Sequence, residues 1–370
     1  MFTKRGGVTK EQVIEALRGV MDPELHRSIV ELNMVRDVII RDGAVQVDAL
    51  LTISGCPLRE TIIESIKNKV QALPGVGTVD VRLGVMSQEQ RQALIAQLRP
   101  GPQKQSPLLS PTSTTRVLVV ASGKGGVGKS TVTTNLAIVL AKHGRRVGVA
   151  DADVYGFSIP QMLGVKGKPT IIDQMIIPLE RDGVRVISMG FMVDENEAVI
   201  WRGPMLHKAI QQFLTDAFWG LPDFVLVDMP PGTGDVAHTL AEVMPKAEII
   251  VVTTPQPAAQ RVAQRSAFAA RRLKLSVRGV VENMSWFTGD DGKRYELFGS
   301  GGGEALAHDL GVPLLGRVPL VNAVRLGGDE GHPVVAADPQ SETALAFRDV
   351  AGKLAALGPA RVYRRELSLR

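Results

Sequence analysis

Gly123-Lys124-Gly125-Gly126-Val127-Gly128-Lys129-Ser130-Thr131 satisfies the spacing G-x-x-x-x-G-K-[ST]. It stands between an apolar run, residues 117–121, and a stretch with helical character reaching about residue 142. Glycines let successive backbone N–H groups turn inward around a phosphate, and the N-terminus of the following helix adds partial positive charge. In this pattern Gly123, Gly125, Gly126, Val127, Gly128 and Thr131 build the cradle. Lys129 reaches β- and γ-phosphate oxygens, and Ser130 ligates Mg²⁺. The strand–loop–helix context therefore reads as a nucleotide site. Working outward, apolar runs recur at 147–150, 184–189, 224–227, 249–253 and 277–281, spaced by glycine loops and helical stretches. Runs without polar alternation suit strands buried on both faces of a parallel sheet. The expected fold class is α/β, a P-loop NTPase with a mostly parallel sheet and its chemistry at the carboxyl ends of the strands.

Two of those strand ends carry carboxylates. The run 224–227 is followed by Asp228, positioned to hold Mg²⁺ through water together with Ser130. The run 147–150 is followed by Asp151-Ala152-Asp153. Asp153 is assigned to orienting the attacking water, with Asp151 supporting it or lying near the metal; an N-cap or a solvated strand-end acid is the plainer alternative for both. Met229-Pro230-Pro231-Gly232-Thr233-Gly234-Asp235 reads as a rigid turn suited to sensing a γ-phosphate.

The chain of 370 residues divides by composition. Residues 1–96 open with a capping box, Thr9-Lys10-Glu11-Gln12, and continue with two β-rich runs joined by Asp42-Gly43. An amphipathic helix over about 58–72 and a strand over about 78–83 complete a small α+β domain. Residues 97–115 hold four prolines among Ser, Thr, Gln and Gly, a linker composition. The P-loop domain is expected over 116–357 and a basic tail over 358–370. The net charge of +5 follows the same division: residues 1–96 carry 12 basic and 12 acidic side chains, and residues 116–357 carry 25 of each. The excess sits in linker and tail, which argues against a basic nucleic-acid-binding domain. Arg261, Arg265 and Arg272 nevertheless share one helical face, with no acid from residue 249 to 281. That row reads as a solvated face or as an anion patch. No apolar run is long enough for a membrane span, the start has no signal-like segment, and the tail forms no amphipathic stripe. A cytoplasmic protein with no membrane association is the expectation.

Lys124 exceeds what a minimal phosphate loop needs. The form Lys-Gly-Gly-Val-Gly-Lys-Ser resembles the deviant-Walker ATPases, the group of MinD, ParA and the nitrogenase iron proteins. That resemblance implies a nucleotide-sandwiched homodimer in which Lys124 reaches across to the partner's phosphates and acts catalytically, while Lys129 acts on the phosphates in its own loop. The resemblance narrows on Asp151-Ala152-Asp153-Val154-Tyr155-Gly156-Phe157-Ser158-Ile159-Pro160, Trp201-Arg202-Gly203-Pro204-Met205, Thr254-Pro255-Gln256 and Glu282-Asn283-Met284-Ser285. These segments are similar to the Mrp/ApbC family of iron–sulfur cluster carrier ATPases. Asp22-Pro23-Glu24-Leu25 and Ser54-Gly55-Cys56-Pro57-Leu58 look like the SufT/PaaD-type domain often fused ahead of it. The resemblance implies slow, Mg-dependent ATP hydrolysis, adenine binding by Asn283, a [4Fe–4S] cluster as cargo, and iron–sulfur assembly factors and client apoproteins as partners.

One departure bears on the cargo. The family's cysteine pair follows the Asn-Met-Ser segment, and here Gly289 and Gly292 stand in those places. Asp290-Asp291-Gly292 reads as a hairpin turn, and its hard oxygens match a soft cluster poorly. Cys56 is the one cysteine of the chain. Ahead of a helix start it reads as an activated thiolate or metal ligand, or as a small buried apolar residue. Three functions stay open on these residues: a carrier with unusual ligands, a nucleotide-switched maturation scaffold that holds no cluster, and a ParA- or MinD-like positioning ATPase.

Overall fold

In the computed structural model the capping box forms as read. The Thr9 hydroxyl accepts from Gln12 N, and the Gln12 side chain accepts from Thr9 N, opening α1 (Lys10–Leu17). β1 (Val35–Arg41) and β2 (Ala44–Leu51) pair antiparallel through Asp42 and Gly43, which take φ of 48° and 82°. Two consecutive positive φ values are what a tight type I′ hairpin requires. α2 (Arg59–Gln71) buries Ile62, Ile66 and Val70, a stripe at four-residue spacing. It returns the chain to β3 (Thr78–Val85), parallel to β2. α3 (Gln88–Leu98) has no counterpart among the expected elements. It starts on a second capping box, Ser87 with Gln90, and runs past the boundary expected at 96.

The structure describes residues 8–55, 57–99, 108, 113–154, 156–192, 203–232 and 235–358, and divides into two compact units. The second begins with β4 (Arg116–Ser122), α4 (Lys129–Lys142), β5 (Val147–Asp151) and α5 (Ile159–Leu163). A hairpin of β6 (Thr170–Ile172) and β7 (Met175–Ile177) then belongs to the first unit, bounded by Pro169 and Pro178. Within that unit Thr170 Oγ1 donates to Glu24 Oε1 at 2.6 Å, and Arg91 pairs with Asp173 at 3.1 Å. The chain continues in the second unit with β8 (Leu179–Arg181), β9 (Val184–Ser188), α6 (Gly203–Thr215), β10 (Phe224–Asp228) and α7 (Asp235–Val243). Next come β11 (Glu248–Thr253), α8 (Pro257–Arg272), β12 (Ser276–Asn283) and a small hairpin of β13 (Phe287–Thr288) and β14 (Arg294–Tyr295). α9 (Gly302–Leu310), β15 (Leu314–Val318), α10 (Asn322–Glu330), α11 (Val334–Ala337) and α12 (Glu342–Ala356) complete it.

The eight-stranded sheet has the order β15-β12-β11-β4-β10-β5-β9-β8. Every neighbouring pair is parallel except β8 with β9. The six expected strands are β4, β5, β9, β10, β11 and β12. Their apolar runs are buried because helices cover both faces, and Leu118, Val149, Leu226 and Val252 are fully enclosed. Arg116 and Glu248 lock β4 to β11 by a 2.5 Å ion pair, both side chains under 10% exposed. The order β4-β10-β5-β9 has a direct consequence for chemistry. Asp228 lies in register with Asp151, and Asp151 with Ser188, so three strand ends converge beside the loop that follows β4. Among the described residues no helix is long and apolar enough to cross a membrane.

Candidate nucleotide site

The loop after β4 turns on glycines. Gly126 and Gly128 take φ of 77° and 81°, and Gly128 is the N-cap of α4. A Cβ at Gly128 would also stand 2.1 Å from Asn283 Nδ2. Gly123 serves a different end: a Cβ there would lie 2.2 Å from Ala263 N, so this glycine lets the loop lie against the backbone of α8. Residues 124–131 line an open cleft of about 290 Å³ together with Asp153, Gly156, Ser158 and Pro231. Their backbone donors surround the N-terminus of α4, where an anion is stabilised.

At the base of the cleft sits a compact charge cluster. Lys129 Nζ is 2.9 Å from Asp228 Oδ1 and 3.5 Å from Asp153 Oδ2, with the lysine only 6% exposed. Ser130 Oγ donates to Asp228 Oδ2 at 2.5 Å, and Thr133 Oγ1 donates to Oδ1 at 3.0 Å. Burial pushes the Asp228 carboxyl upward, against the pull of Lys129, Ser130 and Thr133. Thr133 carries no motif, but one helical turn beyond Lys129 is where a second hydroxyl can reach the same carboxylate. The hydroxyl of Ser130 and the carboxylate of Asp228 form a hard-oxygen pair that fits Mg²⁺. Among the described residues no group of three or more His, Cys, Asp or Glu side chains is arranged to hold a metal ion.

Asp151 faces another way. Its Oδ2 accepts from Ser188 Oγ at 2.8 Å and from Ile159 N at 3.3 Å, while Oδ1 accepts from Asp153 N at 3.2 Å. Both oxygens are committed to β9 and to the segment between Asp153 and α5, so the fold uses Asp151 to shape the loop that presents Asp153. Burial first, then the neighbouring Asp228 charge, push its pKa up to about 7. A raised carboxyl stabilises the fold fully below its unfolded value near 3.8, and that contribution is lost as pH rises through about 7. In the nucleotide-free protein the wild-type Tm is therefore expected to decline between pH 5 and pH 8, and Asp151→Asn is expected to flatten that decline. A decline of unchanged slope in the variant rules Asp151 out as its source.

Lys124 does not join the charge cluster. Its Nζ donates to Gln256 Oε1 at 3.0 Å, so Gln256, the N-cap of α8, holds it within its own chain. Asn283 donates from Nδ2 to the Val127 carbonyl at 2.9 Å and braces the phosphate loop from behind. The neighbouring Glu282 accepts from Ser285 Oγ and Gly303 N, fixing the turn in which Met284 takes φ of 58°. The expected hairpin over Gly289–Gly292 forms: Gly292 N donates to Gly289 O, and the Asp291 carboxylate is taken up by Lys293 N and Tyr295 OH. The place where the resemblance expects a cysteine pair is thus a closed turn with no soft ligand. Cys56, Tyr155, Trp201, Arg202, Thr233, Gly234 and the tail from 359 onward lie outside the described residues.

Comparison with known proteins agrees with this architecture. Residues 113–355 match the family described as NUBPL iron-transfer P-loop NTPase, and residues 10–81 match the iron–sulfur cluster assembly protein family. The iron–sulfur cluster carrier protein of Mycobacterium tuberculosis is 46% identical over 362 residues, covering 96% of this chain and 95% of its own. The Bacillus subtilis protein of the same name is 42% identical, covering 84% and 88%. Among solved structures, a nucleotide-binding protein of Archaeoglobus fulgidus in complex with ADP is 35% identical with a TM-score of 0.52, covering 59% of this chain and 86% of that one. The cell division ATPase MinD of Pyrococcus furiosus is 26% identical with a TM-score of 0.51, covering 65% and 99%. With the phosphate loop, the paired strand-end carboxylates and both halves of the chain matched, the protein belongs to the family of iron–sulfur cluster carrier P-loop NTPases.

Proposed function

We propose that this chain binds ATP with Mg²⁺, hydrolyses it slowly as a homodimer, and carries an iron–sulfur cluster as cargo from assembly factors to client apoproteins in the cytoplasm. The observation that carries the catalytic half is the cluster of Lys129, Ser130, Asp153 and Asp228 at the base of the glycine cleft. Gly125, Gly126, Val127, Gly128 and Thr131 form the phosphate cradle in this reading, and Gly123 seats that loop against α8. Lys129 turns from the carboxylates to the β- and γ-phosphates. Ser130 and Asp228 are left to hold the metal, which supplies charge neutralisation. Asp153 orients water, and Asp151 holds the segment that carries it. Asn283, with one amide hydrogen already on Val127, offers its remaining polar atoms to the base. Donors fixed in place before charge develops on the γ-phosphoryl group account for the rate. Movement of the 151–158 segment on nucleotide exchange couples that chemistry to partner exchange.

The cargo half is supported by the names of the close relatives and constrained by cysteine count. One cysteine per chain places two thiolates in a homodimer, half of what a [4Fe–4S] cluster takes. The remaining ligands then come from an assembly partner or a small thiol. The second reading, a nucleotide-switched scaffold without cargo, is favoured by the closed Gly289–Gly292 turn. Anaerobic reconstitution of the full chain with iron, sulfide and a small thiol separates them. The carrier reading expects iron and sulfide retained in equal amounts, lost in Cys56→Ser, and transferable to an apoprotein. Retention of neither in any nucleotide state sinks the carrier and leaves the scaffold.

A further inference from the structure

α8 turns two unlike faces outward and inward. Its inner face is Ala259, Ala263, Ser266, Ala267 and Ala270, small residues that bring the helix close to the sheet. Outward it presents Arg261, Arg265, Phe268 and Arg272, all exposed, with Phe268 exposed by 44%. These four positions fall at i, i+4, i+7 and i+11, one stripe about 16 Å long.

The charges on that stripe are unanswered. Four other exposed arginines of this unit reach a carboxylate within 2.9 Å: Arg146 to Asp223, Arg294 to Glu342, Arg317 to Glu304 and Arg325 to Asp329. Among the described residues Arg261, Arg265 and Arg272 make no ion pair or hydrogen bond, and α8 holds no acid. The facing helix α9 does not supply one: Asp309 accepts from Gln264, and Arg271 is spent on the Leu310 carbonyl. Arg272 sits in the last turn, where the helix dipole favours a cation. Arg261 lies in the second turn, and Arg261 with Arg265 is a like-charge pair at i, i+4, an arrangement that works against the helix.

We infer that this stripe is the docking surface for an acidic face of the recipient apoprotein, an inference that rests on the carrier reading and specifies its partner. An apolar centre rimmed by unpaired cations is the layout of a protein interface, with Phe268 as the anchor and the guanidiniums as steering charges. Nucleic acid fits less well, because the phenyl sits in the middle of the row and residues 116–357 balance 25 basic against 25 acidic side chains. A membrane fits less well because the apolar side of α8 is already buried against the sheet. The helix that carries the stripe is capped by Gln256, which holds Lys124, so a partner seated on α8 bears on the element that positions the nucleotide-site lysine.

The test uses the full chain without cargo and a labelled, strongly acidic apo-ferredoxin as probe, followed by fluorescence anisotropy at low and at physiological salt. Arg261→Glu/Arg265→Glu/Arg272→Glu is expected to weaken binding by about tenfold or more, and the corresponding triple lysine variant to stay within about threefold of wild type. Phe268→Ala is expected to weaken binding about threefold to tenfold with its salt dependence unchanged. ATP binding and cluster loading, measured in parallel, stay at wild-type levels in all three. Because docking is read without cargo, an empty wild-type protein speaks against the carrier reading and leaves the docking result standing. Absence of probe binding by the wild type, or wild-type affinity in the charge-reversed protein, overturns the inference. So does a stripe whose reversal abolishes binding of duplex DNA, phosphatidylserine vesicles or a second copy of this chain while leaving the probe bound.

Discussion

Lys129→Ala is expected to lose at least about 100-fold in ATP affinity, since two charge-assisted contacts to phosphate are each worth about 1.5–3 kcal/mol. The same substitution strikes the nucleotide-free fold, for a reason specific to this cleft. Asp228 is fully buried, Asp153 is nearly so, and Lys129 lies within 3.5 Å of both. Removing one partner of a buried pair typically costs about 3–5 kcal/mol, because the other charge is left without compensation. Asp228, already displaced upward by burial, recovers part of that by taking up a proton. The two effects separate in Lys129→Ala/Asp228→Asn. That double variant is expected to regain most of the lost Tm while remaining unable to bind ATP, as read by calorimetric titration. If Lys129→Ala alone binds ATP like the wild type, the cleft is not the nucleotide site.

What could be read from the chain before its structure divides by the range of the interaction. The phosphate loop, the Thr9 capping box and the Asp42-Gly43 hairpin are local patterns, each dictated by backbone geometry within a few residues, and each forms. The central strands were legible because burial on both faces leaves unbroken apolar runs. β15 was not: Gly316 and Arg317 interrupt its run at the edge of the sheet. α3 is a different case, since its capping box was present in the letters but its weak apolar pattern over 88–98 hid the helix. The role of Asp151 depends on β9 lying beside β5, and the Lys124–Gln256 contact joins residues 132 positions apart. Neither neighbour can be deduced from spacing, because both follow from sheet order. Gly123 is the clearest instance. Its motif assigns it to phosphate, whereas the packing shows it enabling the loop to approach α8.

Sheet order also explains why the cleft is poised without nucleotide. Converging β4, β10 and β5 brings two carboxylates, Asp228 and Asp153, to one ammonium, so the lysine that a phosphate would recruit is already in place. Entry of an anion then competes with Asp228 and Asp153 for Lys129. In the proposed mechanism the carboxylates it releases are those that would hold the metal and orient water, so binding and assembly of the catalytic arrangement would occur in one exchange.

Lys124 is outside that exchange, and its substitution should separate catalysis from binding. Its ammonium rests on the neutral Gln256 oxygen at 3.0 Å, partly exposed at the rim of the cleft, where among the described residues no carboxylate pairs with it. A cation held this loosely contributes little to the affinity of the ground state and is free to move to charge developing on a γ-phosphoryl group. Lys124→Ala is therefore expected to bind ATP within a few-fold of wild type, with kcat lower by about 100- to 1,000-fold, the usual cost of removing one donor to charge that develops in the transition state. Gln256→Glu should also slow turnover, by converting the rest position into an ion pair, and added salt should restore it in part. Mixing provides the decisive arm. Chains with Lys129→Ala still present Lys124, and chains with Lys124→Ala still bind ATP. If the lysine acts across a dimer, the mixture recovers activity that neither variant has alone. A mixture as inactive as its components, with Lys124→Ala inactive by itself, confines the lysine to its own chain; normal turnover by Lys124→Ala removes it from catalysis altogether.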